Sequence, residues 1–418
     1  MFKNGDENLI PRLPFGLRDI FPIETRERRY IEETIRREFI LWGYGEIKTP
    51  VFEYTKNISI GVGKNWKDKL ISFFDNDGNL VSLRADMTIP IARLSGMRLK
   101  ANQLPARFYY FANSFRQSGF QKGEKRILNQ AGLELIGAKN QAADVEVLNV
   151  LINILMKLKI KNFKVGIGNI KLVEGLAEWF NLESEEIDFV KSNLIFNNLV
   201  TIRDFLSQRN VKKADVFLKL MEPKRDMKFF EKMVSDIKIE KVFDSFSYLK
   251  QVYNALEELG FSEYLIIDFS IIRQFSYYSG LIFEVYCPKT KELIGSGGRY
   301  DRLIREFGLD VPATGFALDT DLLHKSLESI PVIVSENVER IVLFGFSKEC
   351  SSLIKFAARL RARGLIVELV FDNDSDLENL ALTKKANYIY KPDFNKNIVE
   401  VIDLNKKSIS IIKIDEHS

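Results

Sequence analysis

A run of strand-like segments that stops, gives way to charged helix and then resumes is what most limits the fold of this 418-residue chain. Short apolar or alternating runs bounded by glycine, proline and polar residues predict strands near Leu80–Arg84, Ala106–Phe115, Ala131–Gly137 and Phe163–Gly168. From about Leu172 to Leu259 the pattern is helical and highly charged and carries no chemical motif; the strand signal then returns at Tyr264–Phe269 and Leu281–Tyr286. The helical stretch therefore reads as an insertion, about 172–259, into one core spanning 1–330. A boundary is expected near Pro331–Val338, followed by a small α/β domain over 338–418. There RIVLFGF, SSLIKFAARLRARG, LIVELVF, a helix near Leu377–Lys385, NYIYKP and SISIIKI alternate in a way that favours parallel strands at least at its start.

The N-terminal part of the core opens with an amphipathic helix from Pro22, its apolar stripe expected at Ile31, Ile35, Phe39 and Ile40, and Gly43 ends it. The strand EIKTPVFEY follows, interrupted by Pro50. Proline is tolerated in strands mainly at edges and bulges, so Pro50 is expected to mark an interface. A helix over about Ala143–Leu158 and another near Asp319–Leu327 complete the elements around the motifs.

Composition narrows the function. The balance of 61 Lys+Arg against 57 Asp+Glu leaves +4, too mild to demand nucleic acid. No run approaches the roughly 18 apolar residues of a membrane span. Cys287 and Cys350 cannot build a disulfide framework and fit a reducing cytoplasm. His324 and His417 are the only histidines, which argues against a histidine-based triad or metal site.

Three segments hold residues suited to a buried amino-acid pocket: LRADMT (Leu83–Thr88), FRQSGFQKGEKRILNQAGLELIG (Phe115–Gly137) and IIRQFSYYSGLIFE (Ile271–Glu284). An ammonium group needs acceptors, at least one of them charged, because an unpaired buried charge is very unfavourable. Asp86, Thr88, Gln130 and Glu134 supply them. Gln130 and Glu134 would share a face on either a helix or a strand. A carboxylate calls for arginine, whose fork binds it bidentately, and Arg116 and Arg273 are the candidates. Tyr277 and Tyr278 offer flat walls with polar tips, suited to an imidazole ring. Each has a plainer reading: Glu134 paired with a surface lysine, the arginines in structural ion pairs, the tyrosines packing a strand. GSGGRY (Gly295–Tyr300) lacks phosphate-loop spacing and fits backbone that approaches a neighbour or ligand closely.

In order and spacing these motifs resemble class II aminoacyl-tRNA synthetase cores, specifically the histidyl-tRNA synthetase branch, over most of residues 13–327. The helix and GYGEIKTPVFEY are similar to that family's first motif, with Pro50 at the dimer interface. Phe115–Gly137 resembles the second motif; Ile271–Glu284 and Gly295–Leu323 resemble the histidine signatures running into the third. The resemblance implies an antiparallel sheet core flanked by helices. It implies amino-group binding at Asp86 (where a glutamate is usual) beside Thr88, with Arg116, Gln130 and Glu134 lining the site. It also implies carboxylate binding at Arg273 and imidazole recognition at Tyr277 and Tyr278.

The chain departs from that family where nucleotide is held. Ser118, Gly119 and Phe120 replace E-R-P of the second motif, and Asp319, Thr320, Asp321 and Leu322 replace G-L-E-R of the third. An acid and a leucine beside a triphosphate would turn attraction into repulsion, and losing charge-assisted phosphate contacts weakens transition-state binding by several kcal/mol. RGLDYY becomes Arg273-Gln274-Phe275-Ser276-Tyr277-Tyr278, and the C-terminal tail is shorter than an anticodon-binding domain and not notably basic. A synthetase-like core with an amino-acid pocket but no adenylation machinery is similar to the regulatory subunits of ATP phosphoribosyltransferase. That likeness implies a non-catalytic chain with no cofactor or metal, and with histidine as small-molecule ligand. Its partners would be a second copy of itself and the short-form catalytic subunit, with neither membrane nor tRNA among them. Two other readings stay open: a histidyl-tRNA synthetase with drifted motifs, and a synthetase-like scaffold serving another partner.

Overall fold

The computed structural model describes residues 13–14, 16–62, 69–117, 125–224, 226–272, 275, 277–327, 338–371 and 376–414. Arg273, Gln274, Ser276, Ser118, Gly119, Phe120 and Pro331 thus lie outside the described residues. The chain divides into two compact units, Met1–Ser329 and Ile330–Ser418.

An eight-stranded sheet forms the first unit. Its strands run in the spatial order Gly45–Glu46, Ala106–Phe115, Ile127–Ile136, Ala313–Asp319, Leu293–Arg299, Leu281–Tyr286, Lys164–Asn169 and Leu265–Ile267. The two outermost pairs are parallel and the pairings between them are antiparallel. This is the helix-flanked antiparallel core that was expected. The helix Pro22–Leu41 begins on a proline, which has no N–H to leave unsatisfied at that position, and buries Ile31, Ile35 and Phe39 completely. Ile40 does not share that stripe; it is 56% exposed, because the buried row runs through Glu38 and Phe39, which lie i+3 and i+4 from Ile35. Gly43 takes φ +77°, the left-handed conformation that closes the helix.

Pro50 belongs to no strand. It separates Gly45–Glu46, at the edge of the large sheet, from Phe52–Tyr54, an edge strand of a second sheet ordered Phe52–Tyr54, Leu80–Leu83, Ser72–Phe74. That small sheet exposes Phe52, Tyr54, Phe73, Phe74 and Leu80.

The insertion is helical as expected, with six helices among the described residues from Ile170–Trp179 to Glu240–Glu258. Its first and last helices bury Leu172, Leu176, Val242, Leu249 and Leu256 in the core. The helices between them reach the sheet through Lys224, whose N–H and C=O exchange hydrogen bonds of 2.9 and 2.8 Å with Ile267.

The second unit has a five-stranded sheet ordered Ile366–Phe371, Arg340–Gly345, Tyr388–Asp393, Ile398–Asp403, Ser408–Lys413. The first three strands are parallel, as alternating elements predict, and the last two add antiparallel. The helix Cys350–Ala362 packs Leu353, Phe356 and Leu360 into one apolar cluster, while Leu377 and Ala381 of the helix Leu377–Thr383 belong to another.

Candidate amino-acid site

The site grows out of strand register. Ile127–Ile136 is a strand, so Gln130, Gly132 and Glu134 project from one face. Glu134 sits opposite Gly315, which in turn sits opposite Gly298; Gln130 sits opposite Asp319. These glycines are needed for space. A methyl on Gly315 would lie 1.9 Å from a Glu134 carboxylate oxygen, and one on Gly132 would lie 2.4 Å from the Tyr110 hydroxyl. Any side chain at 315 therefore evicts Glu134.

Asp86 and Thr88 arrive on the turn between Leu80–Leu83 and the helix Thr88–Arg98. Buried Arg84 fixes that turn, donating to the carbonyls of Asn113 (2.8 Å) and Thr49 (2.9 Å). The cavity that results, about 150 Å³, is lined by Asp86, Thr88, Arg116, Gln130, Glu134, Tyr277 and Tyr278 among others. Seven of the eight residues singled out from sequence thus surround one space; Arg273 lies outside the described residues.

Among the described residues, three hydroxyls and one backbone N–H bond the two acids, and the Arg116 charge also acts on Asp86. Glu134 accepts from Thr88 at 3.0 Å and from Tyr300 at 2.5 Å, while Asp86 accepts from Tyr277 at 3.1 Å and from the Ile89 N–H at 3.4 Å. Burial pushes the Asp86 carboxyl up to about 6 despite those hydrogen bonds. Burial pushes Glu134 up to about 8; its two hydroxyl donors oppose the rise and the nearby charge of Asp86 adds to it. Among the described residues Arg116 is the only cation lining the cavity, its guanidinium 5.7 Å from the Phe275 ring centre. Phe275, Tyr277, Tyr278 and Tyr300 make an aromatic wall, with Phe275 and Tyr277 stacked at 5.3 Å and 17°. The oxygen assigned to the Gln130 amide is buried without a hydrogen-bond partner among the described residues. Two buried acids, an orphaned acceptor, one arginine and flat rings suit a small cationic or zwitterionic ligand carrying a ring.

Sequence reasoning did not single out Tyr300 or Lys125. Tyr300 closes GSGGRY and is the hydroxyl nearest Glu134; its place two residues beyond Gly298 was the available signal. Lys125 bonds Asp319 at 3.0 Å and lies 3.7 Å from Asp321. Asp321 is also held by Arg28 and by the Asn129 amide at 3.0 Å. Asp319 caps the helix Thr320–Ser326, accepting from the N–H groups of Asp321 (2.9 Å) and Leu322 (3.0 Å). Leu322 is 3% exposed and packs in the core. Asp319 lines the cavity, while the Leu322 side chain is buried and the acids at 319 and 321 are paired within the protein.

This sheet, cavity and motif order define a class II synthetase core of the histidyl-tRNA synthetase type, and the histidyl-tRNA synthetase family model matches residues 16–323. A relative named ATP phosphoribosyltransferase regulatory subunit, from Clostridium botulinum (strain 657 / Type Ba4), is 30% identical over 409 residues, covering 97% of each chain. Another of that name, from Thermoanaerobacter pseudethanolicus, is 33% identical over 359 residues, 85% of this chain and 93% of the relative. A solved structure described as an ATP phosphoribosyltransferase regulatory subunit/histidyl-tRNA synthetase from Bacillus halodurans superposes with a TM-score of 0.79 at 29% identity, covering 90% of this chain and 97% of its own. Histidyl-tRNA synthetase from Nostoc sp. PCC 7120 (TM-score 0.76, 20% identity, 97% of each chain) shares the fold. The chain belongs to the histidyl-tRNA synthetase family and, within it, to the ATP phosphoribosyltransferase regulatory subunits.

Proposed function

We propose that this chain is the non-catalytic partner that makes a short-form ATP phosphoribosyltransferase catalytic subunit active, and that it conveys histidine feedback to the first step of histidine biosynthesis in the cytoplasm. The observation that carries the reading is the contrast within one site. Residues suited to an amino acid line one cavity, while Leu322 is buried and Asp319 and Asp321 are spent on internal partners. Histidine is the ligand we assign to Asp86, Thr88, Arg116, Gln130, Glu134, Tyr277 and Tyr278, with Arg273 completing the set from the family pattern. Feedback then follows as a population shift: the ligand binds one arrangement of the complex better and biases the catalytic partner toward it.

The deciding experiment mixes the chain with a short-form catalytic subunit and follows phosphoribosyl-ATP formation with and without histidine. Activation by the chain and inhibition by histidine are expected; unchanged activity on mixing rejects the reading. ATP–pyrophosphate exchange dependent on histidine would instead return the chain to the synthetases.

A homodimer is part of the proposal. The exposed aromatic rows of the small sheet, next to Pro50, are the surface we assign to it. Phe52→Asp with Phe74→Asp is expected to weaken self-association at least about tenfold, since aromatic anchors dominate such interfaces. Light scattering across a dilution series checks this, and an unaltered dimer places the interface elsewhere.

A further inference from the structure

Arg299 stands between two residues of the cavity wall, Gly298 and Tyr300, yet its own side chain runs away from the cavity into the protein. It is 4% exposed. Its Nε donates to Asp144 at 3.0 Å, one terminal nitrogen to the Ala138 carbonyl and to Asp301 (both 3.2 Å), and the other to the Asn140 carbonyl at 3.2 Å. Asp144, fully buried on the helix Gln141–Lys157, also accepts from the Tyr248 hydroxyl. Tyr248 belongs to Glu240–Glu258, the last helix of the insertion. One guanidinium therefore joins the wall strand, a core helix and the insertion.

The main chain of Arg299 is tied to the same wall. Its carbonyl accepts from the Ser279 N–H at 2.8 Å, and the Ser279 hydroxyl accepts from the Asp301 N–H at 2.8 Å. Ser279 follows Tyr277 and Tyr278 directly. Tyr300, next along, donates to Glu134. Arg299 is thus joined through the main chain to both the tyrosine pair and the hydroxyl on Glu134.

A groove of about 780 Å³ opens beside this joint, with Arg299, Tyr248, Gly280 and Leu281 among its lining, while elsewhere the helix Glu240–Glu258 packs Leu249 and Leu256 into the core. At the groove a hydrogen-bonded charge network carries the positional information, and such networks tolerate partial loss poorly. One oxygen of Asp144 is buried with no partner among the described residues, so none of them supplies a further donor to replace Tyr248 or Arg299.

We propose that Arg299 is a positioning residue for the amino-acid cavity and that, through Asp144 and Tyr248, it registers the position of the helical insertion. A partner that shifts the insertion would then change the cavity, and a ligand in the cavity would restrain the insertion, as linkage requires.

The test sets Tyr248→Phe and Arg299→Lys against Tyr44→Phe. The last removes a tyrosine–carboxylate hydrogen bond (Tyr44 to Glu146, 2.9 Å) whose partners do not line the cavity. Amide exchange of the ligand-free full chain is read in peptides covering 277–281 and 299–301, and histidine affinity is read by calorimetry. Tyr248→Phe should quicken exchange there about tenfold, with a larger effect for Arg299→Lys, because local opening reports the lost anchor. Both should also weaken histidine several-fold. Tyr44→Phe should melt earlier yet leave both readouts unchanged. Exchange in Tyr248→Phe equal to the natural chain, or to Tyr44→Phe, overturns the inference even if Arg299→Lys fails to fold. The affinity arm rests on the histidine reading; if the natural chain gives no binding heat, that reading falls and exchange alone still decides the role of Arg299.

Discussion

Glu134→Gln is expected to unfold later than the natural chain and to lose its ligand. The Glu134 carboxyl keeps its proton up to about 8 when folded, against an ordinary 4.5. The stability that proton contributes is therefore full below about 4.5 and is lost as pH rises to about 8. Asp86, raised from 3.8 to about 6, adds a smaller loss over the lower part of that range. The empty protein should thus weaken steadily between pH 5 and pH 8, by about 2–4 kcal/mol for Glu134. Glutamine removes most of that slope, since its oxygen can accept from one of Thr88 and Tyr300 while its amide nitrogen donates to the other hydroxyl. Denaturant melts of both proteins across pH check this; parallel slopes would show that Glu134 ionises freely in the fold. Binding runs the other way. A ligand ammonium favours the charged acid, so affinity should rise from pH 6 to pH 8 with release of a proton. Calorimetry in buffers of differing ionisation heat measures that proton, and Glu134→Gln should abolish it.

Restoring arginine at 322 is expected to harm the protein without restoring chemistry. The Leu322 side chain is enclosed with Leu323 in the core, so Leu322→Arg buries a charge with no partner and should lower stability by about 2–5 kcal/mol. ATP–pyrophosphate exchange should stay at background in the same variant. Any exchange above background would show that the side chain can swing into the cavity and that burial is not what removed the grip on nucleotide.

Both predictions depend on facts that were unequally visible in the sequence. The core strands were legible because each apolar run is short and bounded by turn residues, and Leu281–Tyr286 was placed to the residue. Whether Gln130 and Glu134 lie on helix or strand was not, since both periods bring residues four apart to one face. Pairing with Ala106–Phe115 and Ala313–Asp319 decides it. Other strands went unread: Ser72–Phe74 is three residues long, Ala313–Asp319 carries Gly315 in its middle, and Ile398–Asp403 breaks its apolar pattern with Glu400 and Asp403. The burial of Leu322 was equally hidden: motif alignment gives position along the chain, whereas the Lys125 and Arg28 contacts that hold the neighbouring acids come from distant segments.

The main-chain clip between Lys224 and Ile267 has a consequence for anyone trimming this molecule. Leu265–Ile267 is the last strand of the large sheet on that side, and an outermost strand with bare N–H and C=O groups invites other chains to add to it. Lys224 satisfies that margin at its one bridged residue. Excising the middle helices would therefore do more than shorten the protein: it would unmask a sticky border and favour fibrous or amorphous precipitates over a tidy minimal core.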